Sequence, residues 1–384
     1  MSTAVEAPPE TSASEPEANK LFRLTMKHKG SDLHLKVGQP PAMRLAGTLR
    51  FMQLPVLTTA DMERLMYPLL SPRQRNILEE TGGVDFAHII YDGTLETRFR
   101  VNLFRQRGRL SLVARRVNTS IPTFEGLGLP PILSEIASHD QGIVILAGVT
   151  GSGKSTTIAS MLNYVNQNER CHIVTIEDPI EFTFTDDKSI INQREVGIDV
   201  CDWDTALKHA VRQDPDIILV GEMRDRETFS AAMHAAETGH LVFGTIHASS
   251  APSTIGRILD LFPRDMHSAL RQSMAFNLKA IIAQKLLPTN KDWVAKTGQT
   301  RVPLCEIMRM NPTVKKLILQ EEDQKLADAI RIGKDEGMVD FTESLRLLVT
   351  AEKIDRATAF EVAPSAEQLK MALKGITLAQ PGIL

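Results

Sequence analysis

The chain has 384 residues, enough for two or three domains with full hydrophobic cores, which excludes a disulfide-stapled miniprotein. Hydrophobic residues at 42% and charged residues at 24% match the globular average, so the bulk folds in water and is neither mainly disordered nor embedded in a bilayer. Lys and Arg total 44 against 47 Asp and Glu, a net charge of -3 that offers no whole-molecule attraction to nucleic acid or anionic lipid. Cys171, Cys201 and Cys305 lie far apart, giving no CxxC pair and no four-cysteine zinc module, as expected of a reducing compartment.

The first 19 residues hold Glu, Pro, Ser and Ala without a basic start or an apolar centre; they are expected to be a disordered tail, not a secretory signal. The segment 20–117 alternates short helical and strand patterns. In it Ser71, Pro72 and Gln74 make a helix start with a capping box. From Arg98 onward, polar residues alternate with Phe99, Val101 and Leu103, and Gly108 marks a turn into LSLVARR, which predicts a hairpin with one packed face. The stretch 118–131 carries three prolines and two glycines and predicts an interdomain linker; IPTFEGLGL within it offers apolar contacts to a base or serves only as the connection. Beyond it, GIVIL, HIVTI, DIILV and HLVFGTI are buried-strand runs separated by helical patterns, predicting an α/β domain with a mostly parallel sheet. From about residue 263 the pattern predicts mainly helices, one of them capped by Asp340. No apolar run reaches the roughly 18 residues of a membrane span.

GVTGSGKST, 148–156, lies between a strand and a helix whose Ile158, Met161, Leu162 and Val165 form one stripe, the context in which GxxxxGKS binds phosphate. Gly148, Gly151 and Gly153, with Thr150 and Ser152 between them, would turn backbone N–H groups around a phosphate at a helix N-terminus. Lys154 would reach the β and γ phosphates, Ser155 would ligate Mg²⁺ and Thr156 would lie nearer the α phosphate.

Hydrolysis also needs a carboxylate to handle water. In DIILVGEMRD the apolar run ends at Gly221, where a metal-binding Asp usually stands, and Glu222 follows as the expected water-activating base. TIEDPIEF brings Glu177, Asp178 and Glu181 to another strand end, a density that suggests a nearby cation, with Asp178 on Mg²⁺ through water; turn chemistry at Asp178-Pro179 and a solvated Glu181 are the plainer alternative. His240 and His247 bracket a third strand, with His247 at the ligand-binding end as the expected γ-phosphate sensor and His240 either catalytic or structural. Seven arginines and no acid between 98 and 116 first suggest nucleic acid, but 5% aromatic content leaves little for base stacking. Arginine fingers toward a triphosphate fit better, with Arg100, Arg105 and Arg115 foremost.

In this order, GVTGSGKST, TIEDPIEF, ILVGEMRDRET and TGHLVFGTIHA resemble the secretion ATPase superfamily, and within it the type IV pilus retraction ATPases. SDLHLKVGQPP, FRVNLFRQR and INQREVG extend the likeness over most of 20–350. The resemblance implies an α/β chain: a PAS-like N-terminal α+β domain (20–117), a RecA-like ATPase domain with a helical C-terminal part (132–350), an extension (351–384), and a homohexamer with ATP between domains. It implies the names Walker A, Asp box, Walker B and His box for the four motifs, and a cytoplasmic location at the inner membrane against a platform protein. The missing cysteine module points away from assembly and type II secretion ATPases. TVKKLILQE stands where the primary (PilT) type carries AIRNLIRE, which resembles the accessory (PilU) type somewhat more and makes a second retraction ATPase a possible partner. A nucleic-acid translocase and a nucleotide-regulated adaptor are the readings of other classes.

Overall fold

The computed structural model describes residues 15–92 and 95–376. The chain divides into two units, split between Thr119 and Ser120. The expected tail falls largely on residues 1–14, outside the described residues, but its end is built in: Ala18 is fully buried and Asn19 opens the helix Asn19–Lys27.

In the N-terminal unit six strands form one sheet: β1 (Asp32–Lys36), β2 (Ala42–Leu45), β3 (Thr48–Phe51), β4 (Gly83–Asp92), β5 (Leu95–Gln106) and β6 (Arg109–Arg116), ordered β3-β2-β1-β6-β5-β4. Every neighbouring pair is antiparallel. Alternation does the sorting. Leu33, Leu35, Phe99, Val101, Leu103, Leu112 and Ala114 meet Phe22, Met62, Met66 and Leu78 from the helices Asn19–Lys27, Thr59–Met66 and Pro72–Thr81 in one core. The last helix starts as its sequence indicates, with Ser71 and Gln74 closing a capping box. This is the expected PAS-like layout of a sheet with helices on one face.

The C-terminal unit holds a seven-stranded sheet: β7 (Gly142–Ala147), β8 (His172–Glu177), β9 (Ile190–Glu195), β10 (Ile217–Val220), β11 (Leu241–Ile246), β12 (Leu278–Pro288) and β13 (Arg301–Arg309), ordered β13-β12-β7-β11-β10-β8-β9. All pairs are parallel except β12 with β13. β7 is buried along its whole length because both faces are covered: Ile143, Ile145 and Ala147 enter one core while Val144 and Leu146 enter the other. That is why parallel strands read as unbroken apolar runs.

After residue 263 the chain is mainly helical as expected, but β12 and β13, which the sequence pattern does not show, extend the sheet there. LKAIIAQKLLP is rich in helix formers and buried on both faces, so it shows no period of two to mark it as a strand. The expected cap of the later helix Phe341–Thr350 is in place, Asp340 accepting the Glu343 N–H at 2.7 Å. Beyond it, helices Arg356–Val362 and Ala366–Leu373 send Ala359 and Leu369 into the core. Within 118–131, Thr123 caps the short helix Phe124–Leu127, and Phe124 is buried with its ring 5.5 Å from that of Tyr164. No helix among the described residues is long and apolar enough to cross a membrane.

Candidate active site

Four parallel strands of the C-terminal unit release their C-terminal ends into one cleft of about 560 Å³, the position where open α/β sheets bind ligands. β7 delivers Thr150, Gly151, Gly153, Lys154, Ser155 and Thr156; β8 delivers Glu177, Asp178 and Glu181; β10 delivers Gly221 and Glu222; β11 delivers His247. The four sequence motifs are thus one site.

The phosphate loop turns on Gly148, Gly151 and Gly153, all at positive φ. The helix Lys154–Asn168 follows with Gly153 as N-cap and no side-chain cap, which leaves its first-turn N–H groups for a bound anion. Lys154 Nζ donates to the loop's own carbonyls, Gly148 at 2.8 Å and Val149 at 3.1 Å. Burial lowers the Lys154 ammonium below its ordinary value, opposed by the charges of Glu222 and Glu181. Ser152 Oγ is buried beside the loop with no hydrogen-bond partner. A cradle of N–H groups, a half-buried ammonium and the Ser155 hydroxyl match a nucleotide's phosphates with a divalent cation. Among the described residues no three His, Cys, Asp or Glu converge as a metal-holding group.

Glu222 faces this loop. Its Oε2 is 2.6 Å from the Arg224 guanidinium and its Oε1 is 3.1 Å from His247 Nε2. Burial works to raise the Glu222 carboxyl, but the Arg224 hydrogen bond and the charges of Arg224, His247 and Lys154 outweigh it and hold the group below its ordinary value. Glu222 is therefore held as an anion in the cleft. Gly221 occupies the usual Asp position for a packing reason: a Cβ there would sit 3.1 Å from the Ile176 carbonyl and 3.3 Å from Trp203. Thr245 Oγ1 donates to the Gly221 carbonyl at 2.6 Å and fixes the turn that presents Glu222.

Glu177 accepts from Thr175 Oγ1 at 2.7 Å and from Gln193 Nε2 at 3.2 Å. Burial pushes its carboxyl up to about 7; the bonds from Thr175 and Gln193 oppose the rise, and the Glu181 charge adds to it. The folded chain then holds a proton that the unfolded chain, near 4.5, releases. The stability tied to it is complete below 4.5, falls as pH rises through about 7, and is flat above. Glu177→Gln keeps the hydrogen-bonding shape without the titration, so thermal melts should decline less across that window than those of the wild type. Equal slopes would remove Glu177 as the source.

Not every expected residue joins the cleft. His240 lies at the opposite end of β11, roughly 20 Å from His247 at the rise of a strand, and its Nδ1 bonds the Ala235 carbonyl at 2.8 Å and Thr238 Oγ1 at 3.2 Å. It ties off the turn after the helix Arg226–Glu237. Arg100, Arg105 and Arg115 belong to the N-terminal unit. Arg115 Nε donates to Asp32 Oδ1 at 2.8 Å, so it neutralises a buried carboxylate, and Arg100 is its cross-strand neighbour; Arg105 is exposed. Phe124 does not line the cleft. Sequence reading passed over Arg224, although it stands two residues after Glu222, as well as Thr245, Gln193 and the aromatic lining of Phe182, Phe184 and Trp203.

The family model described as type II/IV secretion system protein matches residues 98–346. The chain belongs to that family. It is 39% identical over 351 residues to the type IV pilus retraction ATPase PilT of Pseudomonas aeruginosa, spanning 91% of this chain and 99% of that protein. The type IV pilus ATPase PilU of the same organism stands level at 38% over 358 residues, spanning 93% and 91%. In structure, the chain superposes on the pilus retraction motor PilT with bound ADP at a TM-score of 0.82 and 40% identity, covering 93% of this chain and 99% of that one. The family places the four motif regions of this cleft within its matched span.

Proposed function

We propose that this chain is an ATP-hydrolysing motor that powers retraction of type IV pili, and with it twitching motility. The observation that carries the reading is Glu222, held by Arg224 and His247 opposite a complete phosphate loop, in a chain that matches PilT and PilU over nearly its whole length.

ATP places its phosphates in the loop, where Lys154 exchanges its loop carbonyls for the β and γ oxygens. Ser155 would hold Mg²⁺ directly and Asp178 through water, and the ion would supply positive charge against the phosphates. Glu222 takes a proton from the attacking water, His247 contacts the γ phosphate, and Glu177 and Glu181 complete the acidic wall. Because Arg115 is committed to Asp32, Arg100 and Arg105 are the arginines assigned to the transition-state charge. A site completed by arginines of a second surface closes naturally into a ring, here six copies, working at the cytoplasmic face of the inner membrane on a platform protein, alone or beside a second retraction ATPase.

Purified full-length protein should hydrolyse ATP in a Mg²⁺-dependent reaction that DNA leaves unchanged. Turnover stimulated by DNA, with a steep dependence on salt, would favour a nucleic-acid translocase; binding of ATP without turnover would favour an adaptor of another motor.

A further inference from the structure

Gln284 lies outside all four motifs, on β12, and is 2% exposed. It does not itself line the cleft, yet its Nε2 donates to the Ser152 carbonyl of the phosphate loop at 2.8 Å, and its Oε1 accepts from Thr157 Oγ1 at 2.8 Å. The orientation of the amide is determined: the Ser152 carbonyl only accepts, so the nitrogen must face it. Thr157, 1% exposed and one turn into the helix Lys154–Asn168, locks the oxygen end.

This contact has a geometric consequence for phosphate binding. The Ser152–Gly153 peptide is planar and trans, so its N–H points opposite to its C=O. Drawing the Ser152 carbonyl toward Gln284 turns the Gly153 N–H away from Gln284, on the side where Gly153 lines the cleft. The same residue shapes the loop's glycines. A Cβ on Gly153 would meet Gln284 Nε2 at 2.8 Å, and one on Gly148 would meet the Gln284 carbonyl oxygen at 2.5 Å. The two ends of the loop are pressed against one glutamine.

We infer that Gln284 is a positioning residue for the nucleotide: it orients the phosphate-binding amide of Gly153 from behind the loop, and Thr157 holds it in place. The inference rests on the reading of the cleft as the ATP site. Loop N–H contacts are made to the phosphates both before and during reaction, so losing their orientation weakens nucleotide binding without a matching loss of turnover at saturation.

The experiment is calorimetric titration with ADP together with steady-state ATP kinetics on full-length wild type, Gln284→Leu and Thr157→Val. Gln284→Leu leaves the Ser152 carbonyl buried and unbonded; ADP affinity and KM for ATP should each worsen roughly 5- to 100-fold, the range of a lost buried hydrogen bond, with kcat within about threefold. Thr157→Val, which frees the amide without removing it, should shift both in the same direction by a smaller factor. Wild-type ADP affinity in Gln284→Leu, or a fall in kcat with KM unchanged, overturns the role. If Gln284→Leu does not fold, Thr157→Val decides alone, and unchanged ADP affinity there is also a refutation. A wild-type protein that binds no ADP instead overturns the ATP-site reading beneath it.

Discussion

Lys154→Ala is expected to abolish measurable ATP turnover and to weaken ADP binding at least tenfold. The ammonium is half-buried and donates to two carbonyls of its own loop. Those bonds are the resting state of a cation that faces the charges of Glu222 and Glu181 across the cleft. Phosphates entering the loop bring several negative charges to the same place, and removing the cation leaves two acidic side chains facing them. A single removed transition-state contact of this kind costs on the order of 10² to 10³ in rate. Radiolabelled ATP turnover and an ADP titration on the same preparation check both parts, with the thermal melt showing that the fold survives. Turnover within tenfold of the wild type would move the phosphate site elsewhere.

Glu222→Gln is the complementary case, with binding kept and hydrolysis lost. Glutamine can keep its amide oxygen on Arg224 and turn its NH2 toward a neutral His247 Nε2, and the Thr245 bond to the Gly221 carbonyl does not involve the carboxylate, so the turn stays in place. What disappears is the anion that accepts the water proton, a step worth roughly 10² to 10⁴ in rate. Nucleotide affinity should stay within a few-fold of the wild type, because Glu222 opposes phosphate charge instead of binding it. The pair of variants therefore separates the two halves of the cleft: Lys154→Ala loses affinity and rate together, Glu222→Gln loses rate alone.

Much of this site was legible because its chemistry is local in sequence. A strand, a glycine turn, Lys154 and a striped helix are contiguous, and each later motif sits at the end of an apolar run that parallel-sheet burial makes conspicuous. The side-chain caps of Ser71 and Asp340 were equally local. What escaped depends on pairings across the fold. β12 carries a helix former's composition and becomes a strand only because β7 and β13 flank it; with it Gln284 was hidden, 132 positions from the carbonyl it holds. In sequence Arg115 reads as an arginine finger, and only the pairing of β1 with β6 brings the buried Asp32 beside it. His240 and His247 are chemically alike, and only the direction of β11 separates a turn ligand from a cleft residue.

Counting surface pili in cells lacking this chain, with the wild type or Glu222→Gln returned, tests the motor assignment most directly. Cells without the chain should carry excess pili and fail to twitch; the wild type should restore retraction, and Glu222→Gln should not. Bald cells would make the chain an assembly motor, and full restoration by Glu222→Gln would show that retraction does not run on hydrolysis at this cleft.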